Sequence, residues 1–238
     1  MNLLYVSEHI FIKTSNGEIF TTGQMGEKYF DRFSNSFDKI TVIGLCEKES
    51  HQNSSKKVEK INTSSKYVEY IFIASEGTHL GRISSIQQIK REMKEKIENY
   101  DRIATKAPSI IAPFVVKCSK KYDKSVLIDM VGCPWDAYWN HSLKGKMFAP
   151  LAWLLTRYAL KNTTHAMYVT DEFLQRRYPS YGETIGCSDV SLLSLDDNVI
   201  AKRIKKIESY DKNAPIILGT TAAVNVKYKG QEYVIRAI

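Results

Sequence analysis

Apolar residues along this chain fall into two alternating rhythms. Short runs with strand character are separated by longer stretches in which apolar positions recur every three or four residues. The run at 3–6 opens the series, followed by 39–46 (KITVIGLC) and 67–74 (YVEYIFIA), each rich in β-branched or aromatic side chains. Residues 48–57 between them are polar and dense in turn formers, and read as a loop. Over 83–100, Ile86, Ile89, Met93 and Ile97 recur at helical spacing with charges on the opposite face, which predicts a helix. A short strand is predicted at 101–105. Pro108 is placed to open a helix over 109–121, because proline suits a first turn. A strand at 125–129, a helix at 146–161 and a strand at 166–170 complete the pattern, with Thr170 positioned to cap a short helix over 171–176.

Strands alternating with helices predict an α/β protein built on a Rossmann-like doubly wound parallel sheet, whose ligands bind beyond the carboxyl ends of the strands. The residues just past those ends are therefore the ones to inspect: 7–9, 106–109, 132–141 and 170–172. Lys106, Ser109, Thr170 and Glu172 are candidates there for contact with a polar substrate. The stretch DMVGCPWDAYWNHSLKGK at 129–146 stands out, because Trp135, Asp136, Trp139, Asn140 and His141 crowd one apparent loop. Two indoles, a carboxylate, an amide and an imidazole suit a ring-shaped polar ligand better than a core.

The last part of the chain changes rhythm. Residues 201–213 are basic and read as a connecting helix, 214–219 and 224–229 as strands, and 231–238 as the start of an amphipathic helix. The pattern divides the chain into a Rossmann-like domain at 1–200, a linker at 201–213 and the opening elements of a second domain at 214–238. An extension that docks on the first domain is the alternative.

Charge and cysteines narrow the chemistry. Lys and Arg number 34 against 26 Asp and Glu, a net charge of +8, which favours anionic partners. No recognition-helix, zinc-finger or RNA-binding signature accompanies that charge, so sequence-specific nucleic-acid binding is not expected. Cys46, Cys118, Cys133 and Cys187 form no CxxC pair, and neither a metal nor a redox site is expected. No apolar run approaches the roughly 20 residues that span a bilayer, and no signal peptide is visible. A cytoplasmic protein is expected, with an anionic membrane surface left as a possible partner.

The motifs together resemble glycosyltransferase family four, two-domain GT-B enzymes that transfer sugars from nucleotide donors, and in particular members that build bacterial capsular and other surface polysaccharides. The resemblance rests on APSIIAP at 107–113, DMVGCPWDAYWNHSLKGK at 129–146, YVTDEFLQRRYP at 168–179, CSDVSL at 187–192 and VKYKGQEYVIRAI at 226–238. It covers nearly the whole chain, as the N-terminal, acceptor-side half of a GT-B glycosyltransferase and the beginning of the donor-side half. It implies a nucleotide sugar as co-substrate, no cofactor and no metal, a saccharide acceptor carried on a polyprenyl lipid, and a retaining outcome at the inner face of the plasma membrane. Residue by residue, it implies that Asp136 or His141 orients or deprotonates an acceptor hydroxyl, that Trp135 and Trp139 stack on sugar rings, and that the Gly17, Gly23 and Gly26 loop lets backbone approach phosphate. Lys229, ahead of Gly230, matches the lysine that pairs with the donor diphosphate. The paired glutamates of the family's donor half have no counterpart here, so this chain alone is expected to be inactive. The competing reading is a non-catalytic saccharide- or nucleotide-binding half that needs a partner chain.

Overall fold

The fold is that of a computed structural model, which describes residues 1–238 apart from 24, 52, 64, 77–78, 189–195, 197, 212–214, 216 and 221–228. Its centre is strand β1, Asn2–Lys13. Leu3, Leu4, Tyr5 and Val6 are all essentially inaccessible to solvent. An unbroken apolar run of this kind marks a strand buried on both faces, as parallel sheets require. Leu4 and Val6 point into one core, and Leu3 and Tyr5 into another.

Around β1, strands β3 (Lys39–Lys48), β5 (Val68–Ala74), β6 (Arg102–Ala107), β7 (Ser125–Met130), β8 (His165–Tyr168) and β9 (Glu183–Gly186) all run parallel, in the order β5-β3-β1-β6-β7-β8-β9. The sheet is built outward from β1 to β5 on one side, then restarts at β6 on the other side of β1. That reversal is the topological switch point of a doubly wound fold, where a crevice opens at the carboxyl edge. The expected fold class is the observed one.

Helices cover both faces. On the first face lie α2 (His79–Lys96), α3 (Ala112–Lys121), α5 (Leu143–Asn162) and α6 (Phe173–Arg177), contributing Ile89, Met93, Val115, Val116, Ala159, Leu160 and Leu174 to one core. The second face is closed by short helix α1 (Glu27–Phe30) and the turn after it, through Phe30 and Phe33.

Several boundaries differ from expectation, each for a local reason. The first strand does not stop at residue 6: it bulges and continues to Lys13. It then folds back antiparallel on β2 (Ile19–Thr21), which pairs in turn with β4 (Glu59–Lys60). The helix expected from 109 begins at Ala112, and its first-turn proline is Pro113; Pro108 instead follows Ala107 in a cis peptide. Residues 134–139 are helical (α4, Pro134–Trp139) rather than a loop. Beyond the sheet, α7 (Asn198–Glu208) runs across the expected boundary at residue 200 and buries none of its residues. The expected strand at 224–229 lies outside the described residues except for Lys229, and described residues 215 and 217–219 of the other expected strand have no regular structure. Gly230, at φ +82, leads into α8 (Gln231–Arg236).

Candidate functional site

The crevice between β1 and β6 is shaped by a bulge. Val6 pairs with Ile43 and Ile10 with Leu45, so β1 spends four steps where β3 spends two. Ser7, Glu8 and His9 occupy the excess, and a bulge re-aims side chains away from the regular pleat. Pairing of β1 with β6 stops at Val6 and Thr105, whereas β6 stays paired with β7 as far as Ala107. Glu8 and His9 on one strand thus face the end of the other, where Lys106 and Ser109 stand.

Contacts tie these residues together. The Ile110 amide donates to Glu8 Oε1 at 3.1 Å, and the Ser109 hydroxyl lies against the same carboxylate while accepting from the Ile111 amide at 3.1 Å. Glu8 Oε2 is buried and has no hydrogen-bond partner among the described residues. Burial raises the Glu8 carboxyl above its usual range, and the two hydrogen bonds only partly offset this. His9 Nε2 is 2.7 Å from Thr21 Oγ1, and its ring meets Phe11 edge-on. Burial, and then the nearby Lys106 ammonium, hold the imidazole down to about 4, so it is neutral at physiological pH. A carboxyl pushed up and an imidazole pushed down on adjacent residues form the kind of pair that runs acid–base chemistry.

A second layer underlies the first. Lys106 and Asp129 are register partners on β6 and β7. The Lys106 ammonium sits 5.1 Å above the Tyr29 ring. Tyr29 Oη and Arg32 Nη2 each donate to Asp129 Oδ2 at 2.5 Å, and Tyr5 Oη lies 3.0 Å from Tyr29 Oη. Arg32 also stacks on Tyr29 at 4.2 Å. Burial pushes both phenols above their usual range. The Asp129 carboxylate therefore pins α1 across the sheet beside the crevice, while its Oδ1 stays buried with no partner among the described residues.

The other expected site residues are distributed differently. Gly23 comes to this crevice: a Cβ there would lie 3.8 Å from His9 Cε1. Gly17 is a hairpin residue at φ +86, its amide bonded to the Thr14 carbonyl and its Cβ position facing open space. Gly26 packs against the Glu59 carboxylate. Trp135 and Trp139 stack on each other at 5.2 Å, and Trp135 meets Trp153 of α5 edge-on. Asp136 pairs with Arg177 at 3.3 Å, and His141 is exposed at the surface. Thr170 Oγ1 accepts from the Leu174 amide at 3.0 Å and so caps α6 from outside its first turn, while exposed Glu172 lies 4.0 Å from Arg176. Lys229 is exposed.

The α4–α5 junction is tightly built. Cys133 Sγ accepts from the Asp136 amide, Tyr178 Oη bonds the Trp135 amide, and Ser142 caps α5 through the Gly145 amide. A Cβ on Gly145 would run into the Tyr138 carbonyl. Gly145→Ala should therefore cost about 1–3 kcal/mol as α4 and α5 are forced apart, read as a lowered midpoint in urea unfolding. An unchanged midpoint would show that the junction has slack.

Glu8 and His9 fall in the stretch 7–9 that the sequence marks for inspection but were given no role there, and Asp129 and Arg32 were not singled out. Asp129 lies inside the conspicuous 129–146 motif, a signal that was available. His9 shows its character only through Thr21 and Lys106, which are remote from it in sequence. Among the described residues no group of three or more His, Cys, Asp or Glu side chains is placed to hold a metal ion. No helix of the described residues is long and apolar enough to cross a membrane.

No family model matches the chain. It is 26% identical over 245 residues to Protein CapJ of Staphylococcus aureus, an alignment that takes in 100% of this chain and 57% of that protein. The chain thus spans little more than half the length of this relative. Among solved structures it is similar to Phytolacca americana UGT2 complexed with UDP-2fluoro-glucose and pterostilbene, at a TM-score of 0.48 and 8% identity, covering 85% of this chain and 56% of that one. It is also similar to Arabidopsis thaliana UGT89C1 complexed with UDP-L-rhamnose, at a TM-score of 0.44 and 11% identity, over 82% of this chain and 54% of that one.

Proposed function

We propose that this chain is the acceptor-side half of a glycosyltransferase that moves a sugar from a nucleotide donor to a saccharide acceptor in polysaccharide biosynthesis. The observation that carries the reading is the cluster of Glu8, His9, Lys106 and Ser109 at the switch point between β1 and β6. The 129–146 and 168–179 motifs support it, as does the similarity to Protein CapJ along the whole chain. In this reading the acceptor is a polyprenyl-linked saccharide. His9 Nδ1, which has no partner among the described residues, accepts the hydrogen bond of the attacking hydroxyl, and Lys106 supplies positive charge beside it. The donor would be held by a second unit that opens near residue 214, with Lys229 on its diphosphate. Transfer would proceed with retention and without a metal. The acceptor hydroxyl would enter on the face from which the diphosphate leaves, and the departing phosphate oxygen would take its proton. His9 would orient that hydroxyl rather than deprotonate it. Asp136 and His141 would act at the rim of the crevice on more distant parts of the acceptor.

The test uses the tryptophans of α4 and α5 as reporters. Titrating the chain with a polyprenyl-diphosphate saccharide should change tryptophan fluorescence saturably. His9→Ala and Lys106→Ala should each weaken binding about tenfold or more, as expected for lost hydrogen bonds and charge in a half-buried site. A flat titration, or variants that bind as the parent does, would overturn the acceptor reading. A response to nucleotide sugar alone would favour the nucleotide-binding half-protein.

A further inference from the structure

Helix α5 has two apolar faces, and the described residues bury only one. Gly145, Ala149, Thr156, Ala159 and Leu160 are buried. On the opposite side Leu143, Met147, Leu151, Leu154 and Tyr158 follow one another at steps of four, four, three and four, which aligns them in a single stripe. They are exposed to solvent by between 47% at Tyr158 and 82% at Met147. Such a stripe on a surface helix marks an interaction site.

The charges bordering it select the occupant. At 3.6 residues per turn Lys144 flanks the stripe on one side and Lys146 and Arg157 on the other. Lys161 adds a fourth cation, and no Asp or Glu occurs anywhere in residues 143–162. A second copy seated through the same face would set lysines against lysines. Helix α7, another amphipathic helix with an exposed apolar side, carries Lys202, Arg203, Lys205 and Lys206 around Ile200, Ile204 and Ile207, so it is repelled in the same way. An anionic lipid surface complements both the apolar stripe and its basic borders, the arrangement of helices that lie in a membrane interface. The aromatic neighbours agree: Tyr138 and Trp139 are exposed at the amino end of α5, with Lys146 above the Trp139 ring at 5.6 Å. Amphipathic rings of this kind favour the headgroup level.

The geometry points to α5 as the surface on which this protein docks to an anionic phospholipid bilayer. Because α4 and α5 leave the sheet from the carboxyl end of β7, the more exposed end of the stripe stands at the same edge as Glu8, His9 and Lys106. Docking there brings the crevice to the headgroups, where a lipid-linked acceptor would arrive. That purpose rests on the proposed function; the docking itself does not.

Sedimentation of the purified chain with phosphatidylcholine vesicles, and with vesicles that also contain phosphatidylglycerol, tests this without any sugar present. Binding should be strong on the anionic vesicles, weak on the neutral ones, and reduced by added salt. The variant Leu143→Ser/Met147→Ser/Leu151→Ser changes only exposed side chains and should lower partitioning by at least about tenfold. A second variant, Lys144→Glu/Lys146→Glu, should lose about tenfold or more on anionic vesicles while leaving neutral vesicles unaffected. Equal binding to both vesicles, or undiminished binding by either variant, overturns the proposal. So does a vesicle-independent dimer that the serine variant dissociates, which would assign the stripe to a second copy. Vesicle binding with a flat acceptor titration would refute the function and spare the docking surface; the reverse result would do the opposite.

Discussion

Arg32→Leu should lower the free energy of unfolding by about 3 kcal/mol, the lower end of the cost of breaking a buried ion pair from one side. The Asp129 side chain is 2% exposed and that of Arg32 24%, and they meet at 2.5 Å. Removing the guanidinium leaves a carboxylate that one phenol from Tyr29 cannot satisfy, since the second oxygen already has no partner among the described residues. For a domain of this size the thermal midpoint should fall by about 6–12 °C. The double variant Arg32→Leu/Asp129→Leu should recover much of that loss, because exchanging both charges for apolar groups removes the desolvation cost together with the attraction. Thermal and urea unfolding of the three proteins decide it. A loss below about 1 kcal/mol for Arg32→Leu would mean that the pair behaves as an exposed one.

The second large effect is on the pH dependence of stability. His9 titrates near 6.5 in the unfolded chain and at about 4 in the fold. As pH falls through that window the unfolded state takes up the proton first, so the contribution of a neutral His9 is present above about pH 6.5 and lost towards pH 4. Between pH 7 and pH 4.5 the loss should be about 2–3 kcal/mol. Glu8 works against it. Its carboxyl is raised by burial, so the fold takes up that proton more readily than the unfolded chain as the solution is acidified. The difference between the parent and His9→Gln isolates the imidazole: the variant should lack this part of the acid slope. Parallel stability curves for the two proteins would show that His9 is solvated and titrates normally.

What the sequence disclosed follows from how local each signal is. KITVIGLC and YVEYIFIA announce buried strands because parallel sheets need apolar side chains on both faces, and Ile86, Ile89, Met93 and Ile97 announce α2 because a helix repeats within a few residues. The order of such elements was enough for a doubly wound sheet. The strands β2 and β4, three and two residues long, carry too little pattern to be seen. Strand β9 is exposed at every position and has no alternation to read. Ser7, Glu8 and His9 interrupt the apolar run of β1 and disguise its continuation, because a bulge looks like a strand end in one dimension. Pro134 and two tryptophans suggested a loop, although proline at the first turn and Cys133 as cap make a short helix. The crevice was legible as a location and not as a set of partners. Arg32 and Asp129 are separated by 97 residues, a pairing that no local pattern encodes.

Strand β1 leaves the ribosome before every strand that pairs with it, and the rest of the sheet is built around it. Its neighbour β3 follows soon after, but Leu3 pairs with Arg102 on its other side. At about 5–20 residues per second, β6 appears roughly 5–20 s after β1. For that interval the apolar stretch Leu3–Val6 of the central strand has one hydrogen-bonding edge unsatisfied, the condition under which chains pair with the wrong partner. The hairpin with β2 covers only the last three residues of that edge, Phe11–Lys13. Slow translation between residues 20 and 105 should therefore lower the yield of soluble protein more than the same delay placed later.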